Sequence, residues 1–307
     1  HFTDQLSLTA GLRYTDEQKK LKHSQTGDPF ELLQPFLAEQ NFKRSDSELS
    51  PTVSLNYKPN DDMLLYASFS RGFKSGGYNA FSITATDSAQ YEPEFVSSWE
   101  VGFKSDLLDR KLRFNAAAFY LDYKDLQVNQ LLLVGGIPQF QTSNAAKAES
   151  KGVELELTAR PIQGLDLAAS YGYLDATFDD YQNATTNGDD FTGNRMVKAP
   201  KHNISLSGQY VTPVTDRINV FARAEVSYRS RVFYSANNIL SQGGVALVNG
   251  RIGLAESESG WEIYLWGRNL TDRDYVINRL AGVIVPGQTT QSLAAPRTYG
   301  VEARVKF

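Results

Sequence analysis

The sequence predicts an all-β chain: a segment of a transmembrane antiparallel up-and-down β-barrel, about twelve strands with short periplasmic turns and long extracellular loops. Three observations carry that prediction. Period-two alternation recurs in about twelve segments of roughly ten residues, the connections alternate strictly between long and short, and aromatic residues gather near the segment ends.

The composition narrows the field first. The 307 residues are 41% hydrophobic and 21% charged, enough apolar material to rule out wholesale disorder. Cysteine is absent, which removes disulfide scaffolds, thiolate metal sites and cysteine nucleophiles together. Lys plus Arg is 31 against Asp plus Glu at 35, so no chain-wide nucleic-acid footprint exists. The histidines, His1, His23 and His202, are too scattered for a histidine-rich metal cage. The apolar run Leu131–Val134 ends at Gly135 and Gly136, and no apolar run approaches the roughly 18 residues of a membrane-crossing helix. The mean hydropathy of -0.38 is compatible with a membrane barrel, whose lipid-facing and lumen-facing residues average out. The chain opens on His1-Phe2-Thr3 rather than Met and has no signal-peptide pattern, so a fragment or a processed chain is expected.

The alternation is clearest in four segments. In Gln5–Tyr14, Leu6, Leu8, Ala10, Leu12 and Tyr14 share one face, and Val153, Leu155, Leu157 and Ala159 do so in Gly152–Ala159. In Ile218–Tyr228, Val220, Ala222 and Val226 are expected toward lipid, with Arg223 and Glu225 toward the lumen. In Arg297–Phe307, Tyr299, Val301, Ala303, Val305 and Phe307 oppose Glu302, Arg304 and Lys306. The remaining segments are Glu48–Tyr57, Met63–Phe73, Val96–Lys104, Lys111–Leu126, Leu165–Leu174, His202–Val211, Gly244–Leu254 and Trp261–Asn269. Ten residues at about 3.3 Å rise, tilted about 40°, cover roughly the 25 Å apolar band of an outer membrane.

The connections reinforce this. Lys58–Asp62, Ser105–Arg110, Arg160–Gly164, Thr212–Arg217 and Ala255–Gly260 are short and carry turn residues. Thr15–Ser47, Lys74–Phe95, Gln127–Lys151, Asp175–Lys201, Arg229–Gly243 and Leu270–Pro296 are expected as long loops, a length uncommon inside compact soluble domains. Tyr57, Phe103, Tyr210, Trp261 and Phe307 fall near one set of strand ends. Tyr14, Tyr120, Tyr123, Tyr171, Tyr173 and Tyr228 fall near the other, which suits two interfacial girdles. A soluble β-sandwich also alternates; strand length, loop asymmetry and the aromatic ends favour the membrane.

Residues that carry chemistry are sparse. His202 and Ser205 are three apart, on opposite faces of a strand, and so form no hydrolase dyad; His23 and His202 are placed in different long loops. Asp175, Asp179, Asp180, Asp189 and Asp190 lack the spacing of a Ca²⁺ loop and read as a solvated acidic loop. Gly72, Gly76 and Gly77 are followed by neither a helix nor a Lys-Ser/Thr pair, so they are no nucleotide loop; glycines at a strand end permit close backbone approach. Sequons at Asn183 and Asn269 carry no necessary meaning in a bacterial protein. Arg71, Lys74, Tyr78, Tyr91, Arg229, Arg231, Phe233 and Tyr234 lie at or beyond the outer strand ends. Arginine with aromatics suits an anionic, partly aromatic ligand, and equally suits lipopolysaccharide phosphates.

Three motifs in order carry a family resemblance. Ser70-Arg71-Gly72-Phe73-Lys74-Ser75-Gly76-Gly77-Tyr78-Asn79 resembles a segment of the barrel half of TonB-dependent outer-membrane receptors. Trp266-Gly267-Arg268-Asn269-Leu270-Thr271-Asp272-Arg273-Asp274-Tyr275 resembles their penultimate strand, and Pro296–Phe307 their final strand with its terminal aromatic. The resemblance implies that residues 1–307 are the C-terminal part of a longer barrel, without plug domain, TonB-contacting segment or earlier strands. It implies a non-enzymatic active-transport receptor of the bacterial outer membrane, both chain ends periplasmic, importing a scarce ligand. The default ligand is a ferric siderophore, with no resident cofactor. Its partners would be outer-membrane lipid and lipopolysaccharide, TonB through the missing N-terminal region, and the barrel-assembly machinery, for which Tyr299 and Phe307 would be the signal. The alternatives are a twelve-stranded outer-membrane porin or hydrolase, and a soluble all-β binding module.

Overall fold

A computed structural model describes residues 3–25, 37–79, 90–134, 137–185, 187–256, 260–281 and 288–305. Every sheet strand pairs antiparallel with its neighbours. In chain order the strands are β1 (Leu6–Gln25), β2 (Leu37–Asn60), β3 (Met63–Lys74), β4 (Gly77–Tyr78), β5 (Gln90–Tyr91), β6 (Glu94–Leu107), β7 (Leu112–Val134), β8 (Ile137–Ala159) and β9 (Leu165–Asp180). They continue with β10 (His202–Pro213), β11 (Ile218–Arg229), β12 (Val232–Phe233), β13 (Ser241–Gln242), β14 (Val245–Glu256), β15 (Trp261–Arg268), β16 (Val276–Ala281), β17 (Thr289–Leu293) and β18 (Thr298–Val305). Twelve of them form one up-and-down sheet, ordered β1-β2-β3-β6-β7-β8-β9-β10-β11-β14-β15-β18. The other six pair as the ribbons β4–β5, β12–β13 and β16–β17 at the long-loop end.

The register places all the alternating apolar residues on one side. Leu55 lies between Leu8 and Ala67, and Ala67 faces Val101, which faces Ala118 and then Val153. The row resumes through Ala169, Leu206, Val226 and Val248, and at the far edge through Ile252, Leu265 and Val301. Leu12, Val101, Leu265 and Val301 are 69%, 57%, 58% and 69% exposed. A continuous apolar face across twelve strands far exceeds the patch a soluble monomer exposes; it is the lipid face. Val220, Ala222 and Val226 share it, and Arg223 and Glu225 take the other side, as the alternation predicts.

The opposite face is polar. Tyr66 donates to Glu100 Oε1 at 2.5 Å, and Asn115 donates to Glu156 Oε2 at 3.3 Å. The Tyr66 ring lies against Gly102, where a Cβ would occupy the ring's own space. Turns at the short-connection end are closed locally: Asn60 Oδ1 accepts from the Asp62 amide at 3.0 Å, and Thr215 Oγ1 accepts from the Ile218 amide at 3.0 Å.

Strands run longer than the alternation predicts, most of all β1, β2, β7 and β8 with 20, 24, 23 and 23 residues, and β9 continues to Asp180, into the segment expected as the loop Asp175–Lys201. Most of the segments expected as the loops Thr15–Ser47 and Gln127–Lys151 is therefore paired strand. The β1–β2 ladder continues above the apolar band from Thr15 opposite Glu48 to His23 opposite Gln40. Both faces are largely polar there, so no hydrophobic period marks it. On β7 a bulge breaks the register between Tyr123 and Leu126, with Asp125 at φ 54°. This interrupts the alternation before Leu131–Val134. Tyr123, expected in the outer girdle, is out of phase with Tyr120 and packs on the inner side against Leu126 and its neighbours. His23, expected in a loop, lies on β1, and His202 opens β10 as the segment His202–Val211 predicts.

Candidate functional site: the outer loop layer

The long-connection end is an interlocked layer built around the upper half of the β7–β8 hairpin. On one side of the hairpin sits the β4–β5 ribbon. Gln127 Nε2 donates to the Ser75 and Glu92 carbonyls at 3.0 Å each, and Asn144 exchanges bonds with Glu92, accepting from its amide at 2.6 Å and donating to its carbonyl at 2.8 Å. Asn79 likewise donates to the Thr142 carbonyl at 2.9 Å and accepts from the Thr142 amide at 2.8 Å. A side-chain amide that satisfies both backbone groups of a residue fixes that strand's position as a ladder partner would.

The extended β1–β2 ladder holds the ribbon from its other side. Lys19 Nζ donates to Ser75 Oγ at 2.5 Å and to the Gly76 carbonyl at 2.7 Å. Arg44 is bidentate to Glu92, at 2.9 and 2.6 Å, and also donates to Asp46 at 2.8 Å. Both Arg44 and Asp46 are nearly buried, with side chains 9% and 6% exposed. Arg44 holds the Glu92 carboxyl below the usual carboxylate range, and the two carboxylates in turn raise the guanidinium's pKa. Gly76 is where this contact needs a glycine: a Cβ would strike both the Arg44 guanidinium and the Tyr91 carbonyl. The glycine-rich stretch read as permitting close backbone approach does so here.

A hydrophobic core lies on the hairpin's other flank. Leu126, Ala146 and Ala148 pack with Phe178, Tyr181 and Ala184 from β9 and the following loop, joined by Phe191, Met196 and Ala236. Phe178 and Tyr181 meet edge to face at 4.9 Å, and Tyr181 meets Phe191 edge to face at 5.6 Å. Gln130 Nε2 donates to the Tyr181 hydroxyl at 3.0 Å in a buried setting, and burial raises that hydroxyl's pKa. The 193–201 segment returns along β9, with the Gly193 and Met196 amides bonded to the Phe178 and Ala176 carbonyls. Asn238 exchanges bonds with the backbone of Arg195, at 2.8 and 2.9 Å, and so ties in the β12–β13 ribbon. That ribbon reaches β16 through Gln242 Oε1, which accepts from the Val276 amide at 2.9 Å, and through Tyr234, which donates to the Val276 carbonyl at 2.7 Å.

Most of the candidate ligand residues serve this scaffold. Tyr78 packs its ring 5.9 Å from Phe42, and the Tyr91 hydroxyl lies over Gly77. Arg229 stacks over Tyr275 at 5.6 Å, while Phe233 and Tyr234 are half-buried at the ribbon. Lys74 and Arg231 are exposed. Arg71 is exposed too, but it shares the phase of Phe69 on β3 and lies 5.2 Å over Phe95, above the lipid face rather than over the lumen. Tyr299 is on the lipid face, 79% exposed, and Phe307 lies outside the described residues. Arg44, Gln127, Asn144, Arg195 and Asn238, which hold the layer together, stand out in no sequence pattern.

Two carboxylates of the acidic loop meet cations and a third meets a hydroxyl. Asp175 pairs with Arg195 at 2.7 Å, Asp180 with Lys147 at 3.8 Å, and Asp189 accepts from Thr185 at 2.6 Å. Among the described residues no group of three or more His, Asp or Glu is placed to hold a metal ion. The Asn269 sequon is structural: its buried side chain donates to the Arg273 carbonyl at 3.0 Å and accepts from the Arg273 amide at 2.8 Å, with its own φ at 50°.

Residues 1–270 match the family model described as TonB dependent receptor-like, beta-barrel. The pesticin receptor of Yersinia pestis is 27% identical over 312 residues, covering 100% of this chain and 42% of its own length. Among solved structures, the ferric yersiniabactin uptake receptor FyuA from Yersinia pestis superposes with a TM-score of 0.83 at 23% identity, over 100% of this chain and 44% of that one. The siderophore receptor PiuA from Acinetobacter baumannii gives 0.75 at 20% identity, over 98% and 41%. The chain thus spans less than half the length of these relatives.

Proposed function

We infer the function from one premise: the chain belongs to the TonB-dependent receptor-like β-barrel family. The proposal is that it forms the C-terminal barrel portion of an outer-membrane receptor that captures a ferric siderophore and imports it with energy delivered through TonB. The remainder of the receptor would supply the plug, the TonB contact and the earlier strands that pair with the edges β1 and β18. Both ends of the chain would then be periplasmic.

The observation that carries this reading is the loop layer. Its ribbons and hairpin are fixed by side-chain bonds across large sequence separations, such as Arg44 to Glu92 and Asn79 to Thr142. Such a layer gives a preorganised surface above the lumen, which reduces the ordering cost of binding. The relatives named as siderophore receptors support the ligand class. Lys74 and Arg231 are the candidates best exposed to an anionic ligand. Arg71, over the lipid face, suits lipopolysaccharide phosphates instead.

The test is uptake of iron-55 carried by a panel of siderophores, ferric yersiniabactin among them. The full-length receptor is expressed in a strain lacking its own receptors, with and without TonB. The reading expects saturable uptake that disappears without TonB. Uptake of no siderophore in the panel, or uptake that persists without TonB, overturns it.

A further inference from the structure

The lumen wall at β11, β14, β15 and β18 carries a feature the loop layer does not use. A recess of about 480 Å³ there is lined by four arginines, Arg223, Arg251, Arg268 and Arg304, against two glutamates, Glu225 and Glu302. Arg223 and Arg251 are directly opposite each other in the β11–β14 register. Like charges so placed repel across the ladder unless something neutralises them.

Two of the arginines have a carboxylate on their own strand. Arg223 pairs with Glu225 at 2.7 Å, and Arg304 with Glu302 at 2.7 Å. Arg251 is held differently. Its guanidinium lies over the Phe221 and Tyr264 rings, 5.5 and 5.7 Å from their centroids, and the two rings meet each other edge to face at 5.8 Å. Its Nε is buried without a hydrogen-bond partner. Ring faces attract the charge but accept little of a planar donor fork's hydrogen bonding. A buried donor left unmade costs free energy that a bound acceptor would recover.

We propose that Arg223, Arg251 and Arg304 form an oxyanion-binding site on the lumen wall, with Arg251 as its centre and a carboxylate-type group as its ligand. The planar guanidinium matches a two-oxygen anion, and the flanking rings admit one attached to an aromatic or other delocalised system. The site lies about five residues from the turn-end of β11, near the middle of the barrel wall, so it is distinct from the outer loop layer. The inference rests on reading this face as the lumen. The anion has two possible sources: a group carried by the transported complex, or an acidic side chain of the receptor's remaining chain seated in the lumen.

The experiment uses the purified full-length receptor and benzoate as the probe. Saturable tryptophan quenching by benzoate is expected, since Trp266 lines the recess. In Arg251→Gln the half-saturating concentration should rise by about tenfold or more, and in Arg251→Lys by less, since charge survives without the fork. That result assigns the site to a soluble anion. If benzoate is silent, hydrogen exchange decides. Faster exchange in Arg251→Gln, in receptor segments outside residues 1–307, assigns the site to the receptor's own carboxylate. Silence to benzoate together with unchanged exchange overturns the proposal and leaves Arg251 a ring-stacked wall residue. Neither readout depends on siderophore uptake, so failure of the transport reading would show separately.

Discussion

Replacing Phe178 by Ala should melt one flank of the loop layer and leave the barrel intact. The ring is 4% exposed and is the residue on β9 that meets both the β7–β8 hairpin and Tyr181. Truncating a buried Phe to Ala costs about 3–5 kcal/mol, of which the edge-to-face pair at 4.9 Å supplies about 0.5–1.5. The sheet below is held by continuous ladders, whereas the loop after β9 is held by this small cluster, backbone bonds to β9, the Asp175–Arg195 pair and the Asn238 bonds. Local opening is therefore the less costly response. A loss of that size raises the opening equilibrium by roughly two to three and a half powers of ten. The reporters are the amides of Phe191, Gly193 and Met196, bonded to the carbonyls of Tyr181, Phe178 and Ala176. Hydrogen exchange read by mass spectrometry should accelerate at those amides and stay unchanged in β10 and β11. Unchanged exchange in the loop would show that the cluster does not hold it. Acceleration spread into β10 and β11 would show that loop and barrel are one cooperative unit.

Three further outcomes are expected. Because Arg44 lowers the Glu92 pKa, the pair's contribution is complete above the ordinary carboxylate range and is lost as pH falls through the lowered value. Protection of the Gly77 and Tyr78 amides, taken relative to the intrinsic exchange rate at each pH, should therefore be flat from pH 8 to 5, and Arg44→Ala should lower it throughout; a loss of protection between pH 7 and 5 in the wild type would contradict the assignment. Ala222→Arg, which puts a charge on the lipid face, should destabilise the folded barrel by about 2–4 kcal/mol in urea titrations, while Glu225→Gln on the lumen face should cost far less; equal costs would refute the register. Phe307→Ala in the full-length receptor should deplete it from the outer membrane while the inserted fraction keeps near-normal heat resistance on gels, whereas normal abundance with lowered heat resistance would make Phe307 an ordinary girdle aromatic.

The barrel was legible because its physics is written in single residues. Each of the twelve alternating segments overlaps one strand of the main sheet, and the phase of Ile218–Tyr228 gave the correct face for Val220 and Arg223 alike. The upper ladders were not legible. Lys20 opposite Lys43 carries no apolar period, and the bulge at Asp125 breaks the one that β7 had. The loop layer was hidden for a different reason. Arg44 and Glu92 are 48 residues apart, and neither is unusual in its own neighbourhood. Their significance exists only once two ladders bring them together. The same holds for Tyr78 and Tyr234, whose residue type suits a ligand but whose partners here are Phe42 and Val276.

On the proposed function, the β7–β8 hairpin organises the layer that binds the ligand above the barrel. The most direct test of that role replaces residues 128–143 with a two-residue turn in the full-length receptor and measures binding of the iron-55 siderophore that the intact receptor takes up. The deletion removes Gln130 and Thr142 but leaves the ladder below Tyr123 in place. Normal insertion with binding reduced by about a hundredfold or more, equivalent to about 3 kcal/mol, is the predicted result. Unchanged binding by a normally inserted receptor would contradict the account.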